Sequence, residues 1–275
     1  MPNRQQLPPN PPNVRIITDS ELDRLKRKNQ NLWHSRNQTC FTCGGKGWFK
    51  SRLDGEVVEF DCNCLEQMIL SLWFTNAGLG AEYQKVSWDN LETVSVEAAE
   101  AVLDYIENSR QYVSQGKGLI FHGSPGTGKT LLATLMLKSL MVKGFEGQFF
   151  VFTQMLDAFA QGWSDQEDRD WFYKKAATCP ILVIDDIGQE ANSRKDSPIM
   201  EAFDIVVQNR INSGLPTFIT TNLTADQIEK KYKKHIFSRL TGSSKFIEMN
   251  GNDFRPQLNE RKDQDFDITY PLRWT

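Results

Sequence analysis

One octapeptide constrains this chain more than any other feature: Gly123-Ser124-Pro125-Gly126-Thr127-Gly128-Lys129-Thr130. It follows a short apolar run at residues 119–121 and opens a stretch of helix formers over residues 129–142. Glycines spaced this way let backbone N–H groups turn inward, and the helix behind them presents its positive end, so together they cradle phosphate. In the pattern G-x-x-x-x-G-K-[ST], the lysine reaches β- and γ-phosphate oxygens and the next hydroxyl coordinates Mg²⁺. Those positions are Lys129 and Thr130, and Leu131 completes the expected ATP-binding stretch.

A loop of this kind sits on a sheet, and the rest of the chain supplies one. Residues 148–152, 180–184 and 217–220 read as strands, and residues 245–248 as a fifth. Helical patterns lie between them at 155–177, 199–212 and 225–234, and residues 93–113 carry Ala98, Val102, Tyr105 and Ile106 at helical spacing. Strands alternating with helices predict an α/β fold with a parallel five-stranded sheet flanked by helices. The run Pro180-Ile-Leu-Val-Ile184 is apolar throughout, as a strand buried on both faces is. It delivers Asp185 to the sheet edge, where a carboxylate can hold Mg²⁺ through water. Asp186 follows as the base that polarises the attacking water. Asn222, after Thr220 and Thr221, reads either as an amide that orients that water or as a turn residue before the next helix.

Four cysteines fall within 25 residues: Cys40-x-x-Cys43 and Cys62-x-Cys64. Four thiolates from two short loops suit tetrahedral Zn²⁺, and four closed ligands make the site structural. Gly44, Gly45 and Gly47 permit the tight turn, and His34 is a substitute ligand. A redox dithiol or buried unpaired thiols are the other readings. Cys179 stands apart and reads as a small core residue. Trp33, Trp48 and Phe49 offer aromatic surface or the packing of a small module.

Formal net charge is −3, so the chain is no polycation and a nucleic-acid surface must be local. Lys230, Lys231, Lys233, Lys234 and His235 form the densest basic run. It fits phosphate contacts along single-stranded DNA and, equally, a solvated helix face. Lys117, Arg210 and Lys245 are further basic candidates. The Pro- and Asn-rich start has no apolar stretch, and residues 131–142 are too short to span a bilayer. The expectation is a cytoplasmic protein with no membrane partner.

The order GSPGTGKT, ILVIDDIG, TTN and Phe237-Ser238-Arg239-Leu240 resembles the AAA+ ATPases. Within them it looks like the DnaC/DnaI-type replicative helicase loaders and their IstB-like relatives. The segment AGLGAEYQKVSWDNL is similar to the lead-in these loaders have before their ATPase domain, and Gly251-Asn-Asp253-Phe-Arg255 to their C-terminal pattern. The likeness covers residues 75–256. It implies that Arg239 is an arginine finger for the γ-phosphate of a neighbouring subunit, and that the chain self-assembles through its AAA+ domain. Arg255 would be a second, sensor-type arginine or a surface ion pair. Asp rather than Glu at 186 departs from the general AAA+ pattern, fits the loaders and implies slow hydrolysis, a switch more than a motor, which single-stranded DNA or a partner would stimulate. The cysteine module would grip the replicative helicase. The resulting organisation is a flexible tail (1–17), an N-terminal helix with zinc module and linker (18–85), the ATPase domain (86–255) and a C-terminal tail (256–275). Two other functions share these residues: an IstB-like transposition helper, and a nucleotide-switched binding protein with negligible turnover.

Overall fold

The computed structural model describes residues 48–53, 55–62, 70, 73–84, 86, 88, 94–161, 174–188, 198–232 and 234–254. Two compact units are present, one within residues 1–84 and one within 85–271. In the first, Gly55 takes a left-handed backbone (φ 89°) that lets β1 (Trp48–Leu53) reverse into β2 (Glu56–Asp61). The strands pair antiparallel from Trp48↔Asp61 to Leu53↔Glu56. Phe49 and Phe60 face one another across the ladder with rings stacked at 5.8 Å, and the Lys50 ammonium lies 5.8 Å from the Trp48 ring centre. Further along, α1 (Ala81–Gln84) is held by the Gln84 amide, which donates to Leu79 O (2.7 Å) and Thr75 Oγ1 (3.0 Å).

The second unit begins with a helix whose start is chemically marked. Ser95 caps α2 (Val96–Glu107) by accepting the Ala98 N–H at 3.1 Å, and the helix buries Ala98, Val102 and Tyr105. The helical stretch expected over 93–113 is two helices, because Asn108 ends α2 and begins α3 (Ser109–Ser114). Next come β3 (Gly118–His122) and α4 (Lys129–Val142). Helix α4 buries residues around its whole circumference, as an apolar helix enclosed by its domain does. Then follow β4 (Gly147–Val151), α5 (Phe152–Gln161), β5 (Ile181–Ile187), α6 (Pro198–Asn212), β6 (Thr217–Thr221), α7 (Ala225–Lys231), α8 (Lys234–Ser243) and β7 (Ser244–Glu248). The sequence assigned Phe152 to a strand, but it opens α5. Its ring is wholly buried against Phe203 at 5.0 Å, so apolar character alone did not distinguish the two.

The sheet is five-stranded and parallel, in the order β4-β5-β6-β3-β7. Strand β6 therefore lies between the glycine-loop strand β3 and the acidic strand β5. Residues 181–184 are fully buried, and Leu182 and Ile184 share one core with Ile219, Phe152, Phe203 and Val206.

Two of the buried cations described in this unit lie outside the glycine loop. Arg210, a candidate DNA contact by sequence, has no exposed surface and is corrected here to a structural residue. Its guanidinium donates to Ala176 O and Cys179 O (both 2.8 Å), Pro216 O (2.6 Å) and Thr217 Oγ1 (2.9 Å), tying together the starts of β5 and β6. Lys138, on α4, donates to Val86 O at 2.6 Å, and burial lowers its pKa to about 8. The unfolded chain keeps that proton up to the ordinary value near 10.5, so between pH 8 and 10.5 the unfolded state binds more protons and stability rises with pH. Lys138→Met is expected to abolish this rise, a difference on the order of 3 kcal/mol across the window. Paired urea titrations of the two proteins at pH 7.5 and 10 measure it, and identical slopes would refute it.

Candidate nucleotide site

All five strands run in one direction, so their C-terminal ends share an edge, the side of an open α/β sheet where ligands bind. At that edge β3 feeds the glycine loop. Gly123 and Gly126 have φ of 122° and 75°, a region that costs residues with a Cβ. Close packing restricts them further. A Cβ on Gly123 would lie 2.6 Å from Met249 O, and one on Gly126 would collide with the Asp253 carboxylate. The segment after β7 thus backs the loop, which the sequence did not reveal. Asn250 Oδ1 accepts from Ser124 N and Oγ (both 3.3 Å), while its amide donates to Glu248 Oε1 (2.7 Å). Phe254 N–H donates to Gly126 O (3.1 Å).

Within the loop, Thr127 Oγ1 donates to Ser124 O (2.9 Å), and Pro125 is exposed at the tip. Gly128 begins α4 in a left-handed conformation, with the side chains of Val94 and Leu131 against its Cα face. Lys129 is 5% exposed, and its ammonium donates to Gly123 O (3.1 Å) and Ser124 O (2.5 Å). Beside the loop a cavity of about 250 Å³ is lined by Val94, Ser95, Thr127, Met249, Asn250, Gly251 and Phe254. Its mixed apolar and polar wall suits a heterocyclic base.

Asp185 ends the buried run of β5 and is 2% exposed. Its Oδ1 accepts from two hydroxyls, Thr130 Oγ1 (2.9 Å) and Thr220 Oγ1 (2.5 Å). Burial pushes its pKa up to about 6, helped by the neighbouring Asp186 charge and opposed by the hydrogen bond from Thr220. A buried carboxylate beside a hydroxyl is a hard oxygen donor set, and a divalent cation would relieve the cost of ionising it. These residues fit Mg²⁺.

Asp186 is the one non-glycine residue with positive φ (60°) among those described. The cause is a bulge: Ile184 pairs with Ile219 but Ile187 pairs with Thr221, so β5 holds one residue more than β6. Asp and Asn tolerate this left-handed backbone better than other side chains. The displaced Asp186 N–H donates to Thr220 Oγ1 at 2.9 Å. Thr221 Oγ1 donates to Ile187 O (2.7 Å) and accepts the Leu223 N–H (3.1 Å), which shapes the turn carrying the half-buried Asn222.

The structure therefore brings together Lys129, Thr130, Asp185 and Asp186, and adds Thr220. Arg239 is engaged elsewhere: on α8, its Nη1 donates to Asp204 Oδ1 on α6 (3.1 Å). His235 lies 2.7 Å from the other oxygen of the same carboxylate. In the basic run, Lys230 is exposed, whereas Lys231 donates to Gly188 O (2.5 Å). Of the expected zinc ligands, Cys62 is buried, while Cys40, Cys43 and Cys64 lie outside the described residues, as do His34, Lys233 and Arg255. Among the described residues no group of three His, Cys, Asp or Glu is placed to hold a metal ion, and no helix is long and apolar enough to cross a membrane.

A glycine loop on β3 and an acidic pair on β5, with β6 inserted between, define an AAA+ P-loop nucleotide-binding domain. The same conclusion follows from comparison with known proteins. The chain belongs to the family of IstB-like ATP binding proteins, whose family model matches residues 96–262. It is similar to the replicative helicase loader DnaC of Escherichia coli (strain K12), 24% identical over 198 residues, 69% of this chain and 77% of DnaC. It is also similar to a putative ATP-binding protein in an insertion sequence of Mycobacterium tuberculosis, 25% identical over 156 residues, 54% of this chain and 59% of that one. The crystal structure of the DnaC helicase loader superposes with a TM-score of 0.55 at 26% identity, covering 62% of this chain and 99% of that chain.

Proposed function

We propose that this chain is an ATP-dependent replicative helicase loader, hydrolysing ATP slowly to ADP and phosphate with stimulation by single-stranded DNA or by the helicase. The convergence of the Thr130 and Thr220 hydroxyls on one oxygen of Asp185 carries the nucleotide half of this reading. The likeness to DnaC across 77% of that loader's length supports the other half.

Each residue has a role that its position permits. The loop N–H groups and Lys129 bind the phosphates, and the cavity beside Thr127 receives the base. Thr130 and Asp185 would hold Mg²⁺, which when bound neutralises charge on the phosphate oxygens. Asp186 polarises the attacking water through its carboxylate, and Asn222 orients that water. Arg239 of a neighbouring copy supplies positive charge at the γ-phosphate, an effect worth about 10³–10⁵ in rate in other NTPases. Within its own subunit one nitrogen of that guanidinium, Nη1, is held by Asp204.

Asp186→Asn separates chemistry from folding, because asparagine also accepts the left-handed backbone. The expected result is unchanged ATP affinity with turnover reduced by about 10²–10⁴. Asp186→Val is expected to lose stability as well, by about 1–2 kcal/mol. Phosphate release and thermal melts distinguish the pair, and undiminished turnover in Asp186→Asn would remove that residue from the chemistry.

The N-terminal unit would bind the helicase around Zn²⁺ held by Cys40, Cys43, Cys62 and Cys64. The hairpin register supports this, since Trp48↔Asp61 brings position 62 to the end of the hairpin at which β1 begins, five residues after Cys43 in sequence. The test is co-purification of the full chain with the host's replicative helicase, with its zinc content measured alongside. A zinc-loaded chain that captures no helicase would overturn the loader reading, and a helicase-binding chain without zinc would overturn the metal site. The mycobacterial insertion-sequence relative favours a second reading, an IstB-like transposition helper that partners a transposase on duplex DNA. Capture of a transposase in place of the helicase would select it. Absence of any turnover, with or without single-stranded DNA, would leave a nucleotide-switched binding protein.

A further inference from the structure

We infer that Thr220 is a positioning residue for the acidic pair, holding the Asp185 carboxylate for its cation and the Asp186 backbone in its left-handed turn. This deepens the nucleotide-site reading above and rests on it. Between Ile184 and Ile187 the ladder with β6 is interrupted, which removes the regular strand partner of the Asp186 N–H. A buried amide without a partner costs about 1–3 kcal/mol. Here the partner is a side chain: Thr220 Oγ1 accepts that N–H at 2.9 Å.

The same hydroxyl has one proton to give, and it gives it to Asp185 Oδ1 at 2.5 Å. The result is a relay running from the Asp186 N–H to the Thr220 hydroxyl and on to the Asp185 carboxylate. Thr220 is completely buried, and its bond to Asp185 lies out of reach of water. Thr130 donates to the same Oδ1 from the other side. The two hydroxyls together fix the rotation of the carboxylate between the glycine loop and β6. When Thr130 turns its oxygen toward a cation, Thr220 remains as the donor that keeps Asp185 in place. Thr220 touches neither phosphate nor water in this scheme and acts only through its two neighbours.

Thr220→Val removes the hydroxyl at nearly constant shape, and Thr220→Ser keeps it. In the nucleotide-free protein, amide hydrogen exchange at Asp186 is expected to be roughly tenfold faster or more in the valine variant and near wild type in the serine variant. With nucleotide, the valine variant should bind ATP in EDTA as wild type does. It should also need roughly tenfold more Mg²⁺ for half-maximal ATP hydrolysis, with serine restoring the wild-type requirement. A merely structural role would not separate metal-free binding from the Mg²⁺ requirement. Wild-type exchange and Mg²⁺ dependence in the valine variant would overturn the inference, as would equal impairment in the serine variant. Should valine prevent folding, Thr220→Ala serves as the hydroxyl deletion with the same expected outcomes. Failure of wild-type protein to bind ATP would sink the nucleotide reading instead, while exchange at Asp186 still judges the relay.

Discussion

Replacing Lys129 by alanine is expected to weaken ATP binding by about two to three orders of magnitude while leaving the fold intact. The ammonium is nearly inaccessible and rests on the loop's own carbonyls, Gly123 O and Ser124 O. It is thus already at the loop, and triphosphate oxygens have only to replace neutral carbonyls. Hydrogen bonds to charged groups contribute about 1.5–3 kcal/mol each, so two of them lost to β- and γ-oxygens sum to about 3–6 kcal/mol, and the carbonyl bonds the ammonium gives up on binding bring the net to about 3–4 kcal/mol. At about 1.4 kcal/mol per tenfold, that is the stated range. The loop should survive, because Asn250, Phe254 and Thr127 hold it independently. Calorimetric titration with Mg·ATP, with circular dichroism as the folding control, makes the measurement. Wild-type affinity in the variant would show that phosphate is not bound where the glycine loop places it.

Arg210→Leu is expected to produce the largest loss of stability of any single change considered for this chain, about 3–5 kcal/mol. Its guanidinium fork meets four backbone carbonyls, those of Ala176, Cys179, Pro180 and Pro216, and the Thr217 hydroxyl, all at the edge of the sheet opposite the nucleotide site. Deleting it strands those acceptors out of reach of water, at about 1–3 kcal/mol each, offset in part because a desolvated cation is removed with it. For a domain of this size the melting temperature should fall by on the order of 10 °C. Arg210→Lys should recover only a small part, since a single ammonium cannot span acceptors from both strand starts. Nucleotide affinity of the molecules still folded should be unchanged. A melting temperature within about 2 °C of wild type in the leucine variant would mean that the fork contributes little net energy.

Sequence conveyed the nucleotide site where short-range chemistry dictates shape. Glycines at 123, 126 and 128 encode a backbone, and a run of buried aliphatic residues ending in Asp185 encodes a strand and its acidic tip. Thr220 escaped notice because threonine is common in strands and its importance arises from the register of β5 on β6, thirty-five residues apart. Arg210 misled for a related reason. On a helix near its C-terminus it reads as a solvated base, and only the tertiary fold collects carbonyls around it. The β1–β2 hairpin was not evident from the sequence, because the apolar pairs Trp48-Phe49 and Val57-Val58 break the period-two alternation that marks a strand.

The last of the described strands, β7, lies beside the first strand of this sheet, and the residues just beyond it brace the glycine loop, with Ser124 and Asn250 separated by 126 positions. During synthesis, then, the loop leaves the ribosome long before its brace exists. The loop gains these braces only once residues 250–254 have emerged, so nucleotide meets the fully braced loop only after them.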